Sequence, residues 1–194
     1  MNLQSVVVCR SVKDFSDPVL DLIEKTYMES FPEVERRDFS LVRNLVKDES
    51  RFIVYALSKE DRYVGFITGW LFDGYTYVEH FAIDPAARNG GIGAEAMKQF
   101  LVFCGTPVVL EVEMPADEMS KRRIGFYERL GLKNIGIRPR YYSDGENACI
   151  YEGPLPLSEH DVAGMELRLN AAAAHAGEAA GDCVPLEGKL ILAI

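Results

Sequence analysis

The chain has 194 residues, 48% of them hydrophobic, and a formal net charge of −9. This length fits one domain with a short additional segment, and the apolar content is that of a globular protein. The negative charge argues against a nucleic-acid-binding surface and is compatible with a cationic substrate such as an amine.

Cysteine and histidine usage predicts neither a disulfide framework nor a metal site. The cysteines form no closely spaced pair, so reduced thiols in a cytoplasmic protein are the simplest interpretation: Cys9, Cys104, Cys149 and Cys183. The three histidines are equally dispersed, and we expect no zinc or other metal. No stretch is long enough to span a bilayer, so we expect no membrane partner.

The N-terminal part of the chain predicts a strand followed by two helices. Gln4–Arg10 is valine-rich and strand-like. Pro18 fits the first turn of a helix that continues to about Ser30. Its apolar face is predicted to contain Leu20, Ile23, Tyr27 and Met28. Asp38 is predicted to begin the second helix.

Three successive antiparallel strands are predicted next, at Arg51–Ser58, Tyr63–Phe72 and Tyr75–Ile83. Asp73-Gly74 between the last two is a strong hairpin signal. The remaining predicted elements are a helix, a strand, a helix and two strands: Ile92–Phe103, Val108–Met114, Met119–Leu130, Leu132–Tyr142 and Asn147–Tyr151. We expect one domain over residues 1–156 and an uncertain C-terminal extension over 157–194.

A glycine-rich segment follows the fourth predicted strand and reads Arg88-Asn89-Gly90-Gly91-Ile92-Gly93. The first turn of a helix has unpaired N–H donors and a partial positive charge, so this junction predicts a phosphate-binding site. Glycine lacks a Cβ, which leaves the backbone open to a ligand.

This loop and the order of the elements resemble the GNAT superfamily of acetyl-CoA-dependent N-acetyltransferases. Arg88, Gly91 and Gly93 match the family pattern Gln/Arg-x-x-Gly-x-Gly/Ala, and Gly125–Leu132 resembles the family's Phe-Tyr-x-x-x-Gly-Phe segment. The resemblance covers about residues 4 to 152. It implies an α+β fold with a mostly antiparallel, mixed central sheet flanked by helices.

The resemblance also implies where acetyl-CoA is bound. Its pyrophosphate would lie on the loop residues Arg88, Asn89, Gly90, Gly91, Ile92, Gly93 and Ala94, with the Arg88 side chain adding charge-assisted bonds. The strand before the loop would separate from its neighbour, and its residues Phe81, Ala82 and Ile83 would pair with the pantetheine arm.

Three side chains are candidates for catalysis. The resemblance places Tyr127 near the CoA sulfur, where an ordinary phenol pKa would let it protonate the leaving thiolate. Glu79 and Glu111 are candidates for the base that deprotonates the amine, a role that a pKa raised by burial would suit. The alternatives are a core tyrosine and ordinary solvated or salt-bridged glutamates.

The predicted function is acetyl transfer from acetyl-CoA to an amine acceptor by direct attack in a ternary complex. The family's asparagine after the fifth strand is missing at Met114-Pro115-Ala116, which motivates an alternative, a non-catalytic acyl-CoA-binding sensor or regulatory module. Arg122 and Arg123 could contact CoA phosphates or be solvated.

We expect the acceptor to be a small-molecule or peptide amine. A minority interpretation, protein N-terminal α-amine acetylation, comes from the pair Tyr141-Tyr142. The apolar end Leu190–Ile194 would either pack on a second copy in a homodimer or add an edge strand.

Overall fold

The structure is a computed structural model that describes residues 6–33, 36–139 and 147–158. The Tyr141-Tyr142 pair and residues 159–194 of the predicted extension lie outside the described residues. The interpretations that depend on them, including the homodimer and the 1–156 domain boundary, stay predictions.

The described residues form seven strands and four helices, with a short 3-10 turn at Pro85–Ala87. In chain order the elements are β1 (Val8–Ser11), α1 (Val19–Ser30), α2 (Phe39–Asp48), β2 (Phe52–Lys59), β3 (Arg62–Phe72), β4 (Tyr75–Ile83), α3 (Ile92–Cys104), β5 (Val108–Glu113), α4 (Glu118–Arg129), β6 (Lys133–Pro139) and β7 (Asn147–Glu152).

The strands form one mixed sheet in the order β1-β2-β3-β4-β5-β7-β6. Neighbouring strands are antiparallel except for β4 and β5, which are parallel. The predicted fold class, a mostly antiparallel mixed sheet flanked by helices, is confirmed. No helix among the described residues has both the length and the apolar character needed to cross a membrane.

Helices cover both faces of the sheet, and side chains alternate between two apolar clusters. On one side, α1 and α2 contribute Leu20, Ile23 and Leu45 to a cluster that includes Trp70 of β3. We call this the α1–α2 face. On the other side, α3 and α4 bury Met97, Phe100 and Tyr127 against the sheet. We call this the α3–α4 face.

Local capping residues explain where two of the helices begin. The Asp38 side chain accepts a hydrogen bond from the Ser40 N–H at 2.8 Å, as predicted for the start of α2. At α4, Asp117 and Ser120 form a reciprocal capping box. Each helix therefore has a defined first turn, and the side chains that follow it have a fixed direction.

The predicted apolar face of α1 is wrong at Met28, which is 49% exposed. One residue beyond the buried Tyr27 is a rotation of about 100° around the helix, which carries Met28 toward solvent. Thr26 is buried instead, and its hydroxyl donates to the Leu22 carbonyl at 3.0 Å and accepts from Tyr63 at 3.1 Å.

A β-bulge interrupts the pairing of β3 and β4. Thr68 is opposite His80, but Gly69 is opposite Val78, so Glu79 is an extra residue in β4. A bulge shifts the alternation of side chains and increases the local twist. Consequently both Glu79 and His80 contact groups on the α1–α2 face, such as Arg37 and Tyr27.

The parallel pairing of β4 and β5 ends early. The paired residues are Thr76 with Val108, Tyr77 with Val109, and Val78 with Leu110. The two strands nevertheless continue to Ile83 and Glu113. Their far ends therefore separate, and we call the resulting opening the β4–β5 gap.

Gly69 at the bulge provides a test of this backbone arrangement. A Cβ at position 69 would overlap the carbonyl oxygen of Tyr77, whereas one at Gly136 of β6 would meet no atom within 4 Å. We expect Gly69→Ala to lower the free energy of unfolding by about 3 kcal/mol because the backbone must shift, and Gly136→Ala to lower it by much less. Urea denaturation measures both, and equal effects would contradict the tight approach at Gly69.

Candidate active site

A cleft of about 360 Å³ lies where the β4–β5 gap meets the start of α3. Its walls come from the end of β4, the loop before α3, the first turn of α3 and one side of α4. The lining residues are Ile83, Ala87, Arg88, Asn89, Gly91, Ile92, Gly93, Ala94, Met119, Arg122, Arg123, Phe126 and Arg129. All the loop residues predicted to hold the cofactor are in this list except Gly90.

The first turn of α3 presents its backbone donors to the cleft. Gly91 is the N-cap residue, with a φ of 74° in the left-handed region, and no side chain caps the helix. Glycine adopts this conformation without steric cost. The N–H groups of the first turn are therefore available to an anionic ligand.

Arg88 lines the cleft, but its guanidinium also makes bonds within the protein. Nε donates to the Ile83 carbonyl at 3.0 Å, and Nη2 donates to the Ser30 hydroxyl at 2.9 Å. These bonds tie the glycine loop to the last residues of β4 and α1. The positive charge of Arg88 still contributes to the electrostatic field in the cleft. The expected contact of Arg88 with phosphate stays a prediction.

Three further arginines reach the cleft from α4: Arg122, Arg123 and Arg129. Arg123 is paired with Glu113 of β5. Arg122 and Arg129 form no ion pair with any residue in the described ranges. The sequence interpretation left Arg122 and Arg123 undecided and missed Arg129, although helical spacing from Met119 through Phe126 placed all of them on one side of α4.

The strand residues Phe81, Ala82 and Ile83 lie at the β4–β5 gap. Each is paired with β3 on one side, through Ile67, Phe66 and Gly65 respectively. On the other side, beyond Val78, β4 has no strand partner in the part of the chain described here. Such an edge can accept an extended ligand by strand addition.

Tyr127 is fully buried on the α3–α4 face, next to Phe126, which reaches the cleft. Its hydroxyl makes no hydrogen bond with any described residue. Burial raises the pKa of Tyr127 well above its ordinary value, with Arg123 opposing this effect and Glu113 adding to it. The expectation of an ordinary phenol pKa was therefore wrong, and the hydroxyl stays protonated over the physiological pH range.

Glu79 is buried and held on both carboxylate oxygens. Oε1 is paired with Arg37, and Oε2 accepts a bond from Trp70 Nε1–H at 3.3 Å. Burial alone would raise the pKa of Glu79, but the charges of Arg37 and His80 and the hydrogen bonds from Arg37 and Trp70 outweigh it and lower the pKa. The raised pKa expected at Glu79 was wrong because the sequence did not reveal Arg37 as its partner.

Glu111 is the second candidate base and is 5% exposed. It follows Leu110, just as Glu79 follows Val78, and Leu110 and Val78 form the last β4–β5 pair. The two glutamates therefore begin the two sides of the β4–β5 gap. By alternation Glu111 shares a side of β5 with Val109, which belongs to the cluster on the α1–α2 face.

Comparisons with known proteins agree with this geometry. The sequence profile of the Acetyltransferase (GNAT) family matches residues 17–132, more than half of the chain. An uncharacterised N-acetyltransferase of Methanocaldococcus jannaschii is 30% identical over 101 residues, 50% of this chain and 62% of that protein. An uncharacterised protein of Mycobacterium leprae is 35% identical over 65 residues, 34% of this chain and 17% of that protein. The chain thus spans less than two thirds of either curated relative.

Among solved structures, a protein described as a GNAT-family acetyltransferase from Bacteroides thetaiotaomicron is 32% identical, with a TM-score of 0.74 over 84% of this chain and 96% of that one. An Elizabethkingia anophelis GNAT acetyltransferase with acetyl-CoA bound is 12% identical, with a TM-score of 0.59 over 79% and 100% of the two chains. The ribosomal-protein-S18-alanine N-acetyltransferase of Escherichia coli is 21% identical, with a TM-score of 0.57 over 80% and 98%. The last two likenesses concern the fold.

The profile match and the Bacteroides structure agree with the glycine loop at α3 and the separated strands beside it, and this chain belongs to the Acetyltransferase (GNAT) family of acyltransferases.

Proposed function

We propose that this protein transfers an acetyl group from acetyl-CoA to an amine, which attacks the thioester directly while both substrates are bound. One observation carries the proposal: the β4–β5 gap opens beside the uncapped start of α3, in a cleft lined by four arginines. A diphosphate attached to an extended amide chain matches both halves of this site.

The residues of the chain fit acetyl-CoA at three points. Backbone N–H groups at the start of α3 suit the pyrophosphate, supported by the positive charge of Arg122 and Arg129. The unpaired edge of β4 after Val78 suits the pantetheine amides. The Tyr127 hydroxyl, which bonds to no residue that the structure describes, suits the sulfur. A buried hydroxyl without a partner is unusual in a protein and fits one that meets a ligand.

When bound, acetyl-CoA supplies a carbonyl carbon for attack and a thiolate leaving group. A backbone N–H on the open edge of β4 would stabilise the charge that develops on the carbonyl oxygen. Tyr127, protonated at neutral pH, would donate to the departing thiolate. A carboxylate at the start of the gap, Glu79 or Glu111, would accept the proton of the amine. Holding both substrates in line would supply much of the acceleration.

The acceptor is an amine that enters from the α1–α2 face. Glu79 pairs with Arg37 on that face, and by alternation Glu111 shares that side of β5 with Val109. Small-molecule and peptide amines both remain within the proposal. The Escherichia coli neighbour is named for the alanine of a ribosomal protein, which makes N-terminal peptides a natural part of the acceptor panel.

Titration calorimetry with acetyl-CoA, followed by a thiol-release assay over small amines and N-terminal peptides, tests this function. We expect acetyl-CoA binding and release of free CoA that depends on at least one amine. Binding without release for every amine would support the sensor alternative, and absence of binding would refute the donor assignment.

The Tyr127→Phe variant tests whether Tyr127 is the general acid that protonates the departing thiolate. Removing the hydroxyl should lower kcat about 100-fold, the lower range for a general acid, while the Kd for acetyl-CoA stays within about twofold. Because the hydroxyl has no described partner, the melting temperature should not fall. Tyr55→Phe, on β2 against Phe100, is a matched control that should leave kcat unchanged. An unchanged kcat in Tyr127→Phe would rule out the acid role.

The arginines of α4 provide a test of the phosphate site. Arg122→Gln combined with Arg129→Gln should raise the Kd for acetyl-CoA about tenfold, equivalent to about 1.4 kcal/mol. The salt dependence of the Kd should decrease as well, because exposed charges are screened. Lys121→Gln is the control on the same helix, since Lys121 is outside the cleft and pairs with Glu118 at 2.9 Å. Equal effects of the control and the double variant would contradict a local phosphate site.

A further inference from the structure

The glycine loop before α3 has a backbone shape that other parts of the protein must hold. Asn89 has a φ of 69° and Gly91 a φ of 74°, so two residues of the loop are in the left-handed region. This conformation costs free energy at a residue with a Cβ, although asparagine tolerates it better than most. Asn89 and Gly90 are exposed, so burial does not fix them. The contacts that fix the loop come from the residues just before it.

The side chain of Arg88 connects the loop to the ends of two other elements. Its Nε–H donates to the carbonyl of Ile83, the last residue of β4, at 3.0 Å. Its Nη2–H donates to the hydroxyl of Ser30, the last residue of α1, at 2.9 Å. Arg88 and Ser30 are both half-buried, which limits competition from water for these bonds.

The two nitrogens that make these bonds lie on the same edge of the guanidinium group. Arginine uses such an edge to bind a carboxylate or phosphate through two parallel hydrogen bonds. Arg51 shows this arrangement in the same protein, with Nε 3.1 Å from Glu49 Oε1 and Nη2 2.8 Å from Glu49 Oε2. In Arg88 both nitrogens donate instead to neutral oxygen atoms of the protein. The edge best suited to a phosphate is therefore already occupied.

α1 holds the segment before α3 at a second point as well. The Thr26 hydroxyl, one turn before Ser30, is 3.3 Å from Asp84 Oδ2. Asp84 Oδ1 accepts a bond from the Ala86 N–H at 2.8 Å and so caps the 3-10 turn that leads to Arg88. Thr26 and Ser30 share one face of α1 because they are four residues apart. This face therefore holds the segment at both of its ends, Asp84 and Arg88.

We propose that Arg88 is a positioning residue, whose bond to Ser30 fastens the glycine loop to α1 in the shape that receives the pyrophosphate of acetyl-CoA. The inference rests on the proposed function and deepens it. It replaces the expected bond between the Arg88 side chain and phosphate with a contact inside the protein. It also makes Ser30, which is not among the residues that line the cleft, a determinant of donor affinity. A loop already held in its binding shape loses less conformational entropy when the ligand arrives.

Variants of Ser30 separate this role from a bond to phosphate, because they leave every charge of the cleft in place. Titration calorimetry gives the Kd for acetyl-CoA, and hydrogen exchange without ligand reports on the backbone amides of residues 89–93. Ser30→Ala should raise the Kd about fivefold, the effect of losing one hydrogen bond that pre-organises a loop, and the amides should exchange faster. Ser30→Thr keeps the hydroxyl and should restore most of the affinity and the slow exchange. Ser40→Ala, exposed on α2, is the matched control.

Arg88→Lys keeps the positive charge but lacks the two-nitrogen edge. We expect its Kd and its exchange rates to match those of Ser30→Ala. The combined variant should bind no more weakly than either single variant, because all three lose the same contact. The salt dependence of the Kd should stay that of the wild type, in contrast to the variant with Arg122→Gln and Arg129→Gln, because no charge near the phosphate is lost.

An unchanged Kd in Ser30→Ala would overturn the inference, whatever its exchange rates. A wild-type Kd in Arg88→Lys would overturn it too, because the charge alone would then account for the role of Arg88. The exchange measurement needs no donor. If the wild-type protein does not bind acetyl-CoA, the proposed function fails, while faster exchange in Ser30→Ala would still show that the contact holds the loop.

Discussion

The end of backbone pairing between β4 and β5 is the constraint on which the rest of the site depends. Beyond Val78 and Leu110 the strands continue without each other. Backbone groups of a sheet are normally paired, because leaving them buried and unsatisfied is costly. Here the bulge at Glu79 adds twist at the point of separation. The opening is thus a property of the strand register.

The charged side chains near this opening are at least partly exposed on one face of the sheet and buried on the other. The protein is acidic overall, yet four arginines line the cleft at the start of α3. The two on α4 without described ion pairs act through exposed, screened charge. On the opposite face a single arginine is buried against Glu79, where a charge acts strongly but requires an exact partner. The cleft therefore favours attraction of anions from solution, whereas the opposite face of the opening holds its charges in a fixed geometry.

The sequence could predict those structural features that depend on residues close together in the chain, and not those that depend on contacts between distant segments. Asp38 and the glycine loop act on their own chain neighbours, so the start of α2 and the start of α3 were both predictable. Arg129 could also have been found, because helical spacing from Met119 is a local pattern. The strand separation could be expected only from the family resemblance, whereas the bulge and the Arg37 partner of Glu79 arise from contacts between distant segments. For that reason the direction of the Glu79 pKa was missed, as was the full burial that raises the pKa of Tyr127.

The Tyr127 hydroxyl, which bonds to no residue in the described ranges, has a consequence for the stability of the protein. A buried polar group without a hydrogen bond costs about 1–3 kcal/mol, out of a typical net stability of about 5–15 kcal/mol. Phenylalanine would fill the same space without that cost. A ligand atom that bonded to the Tyr127 hydroxyl would therefore offset part of the stability that this side chain costs the protein.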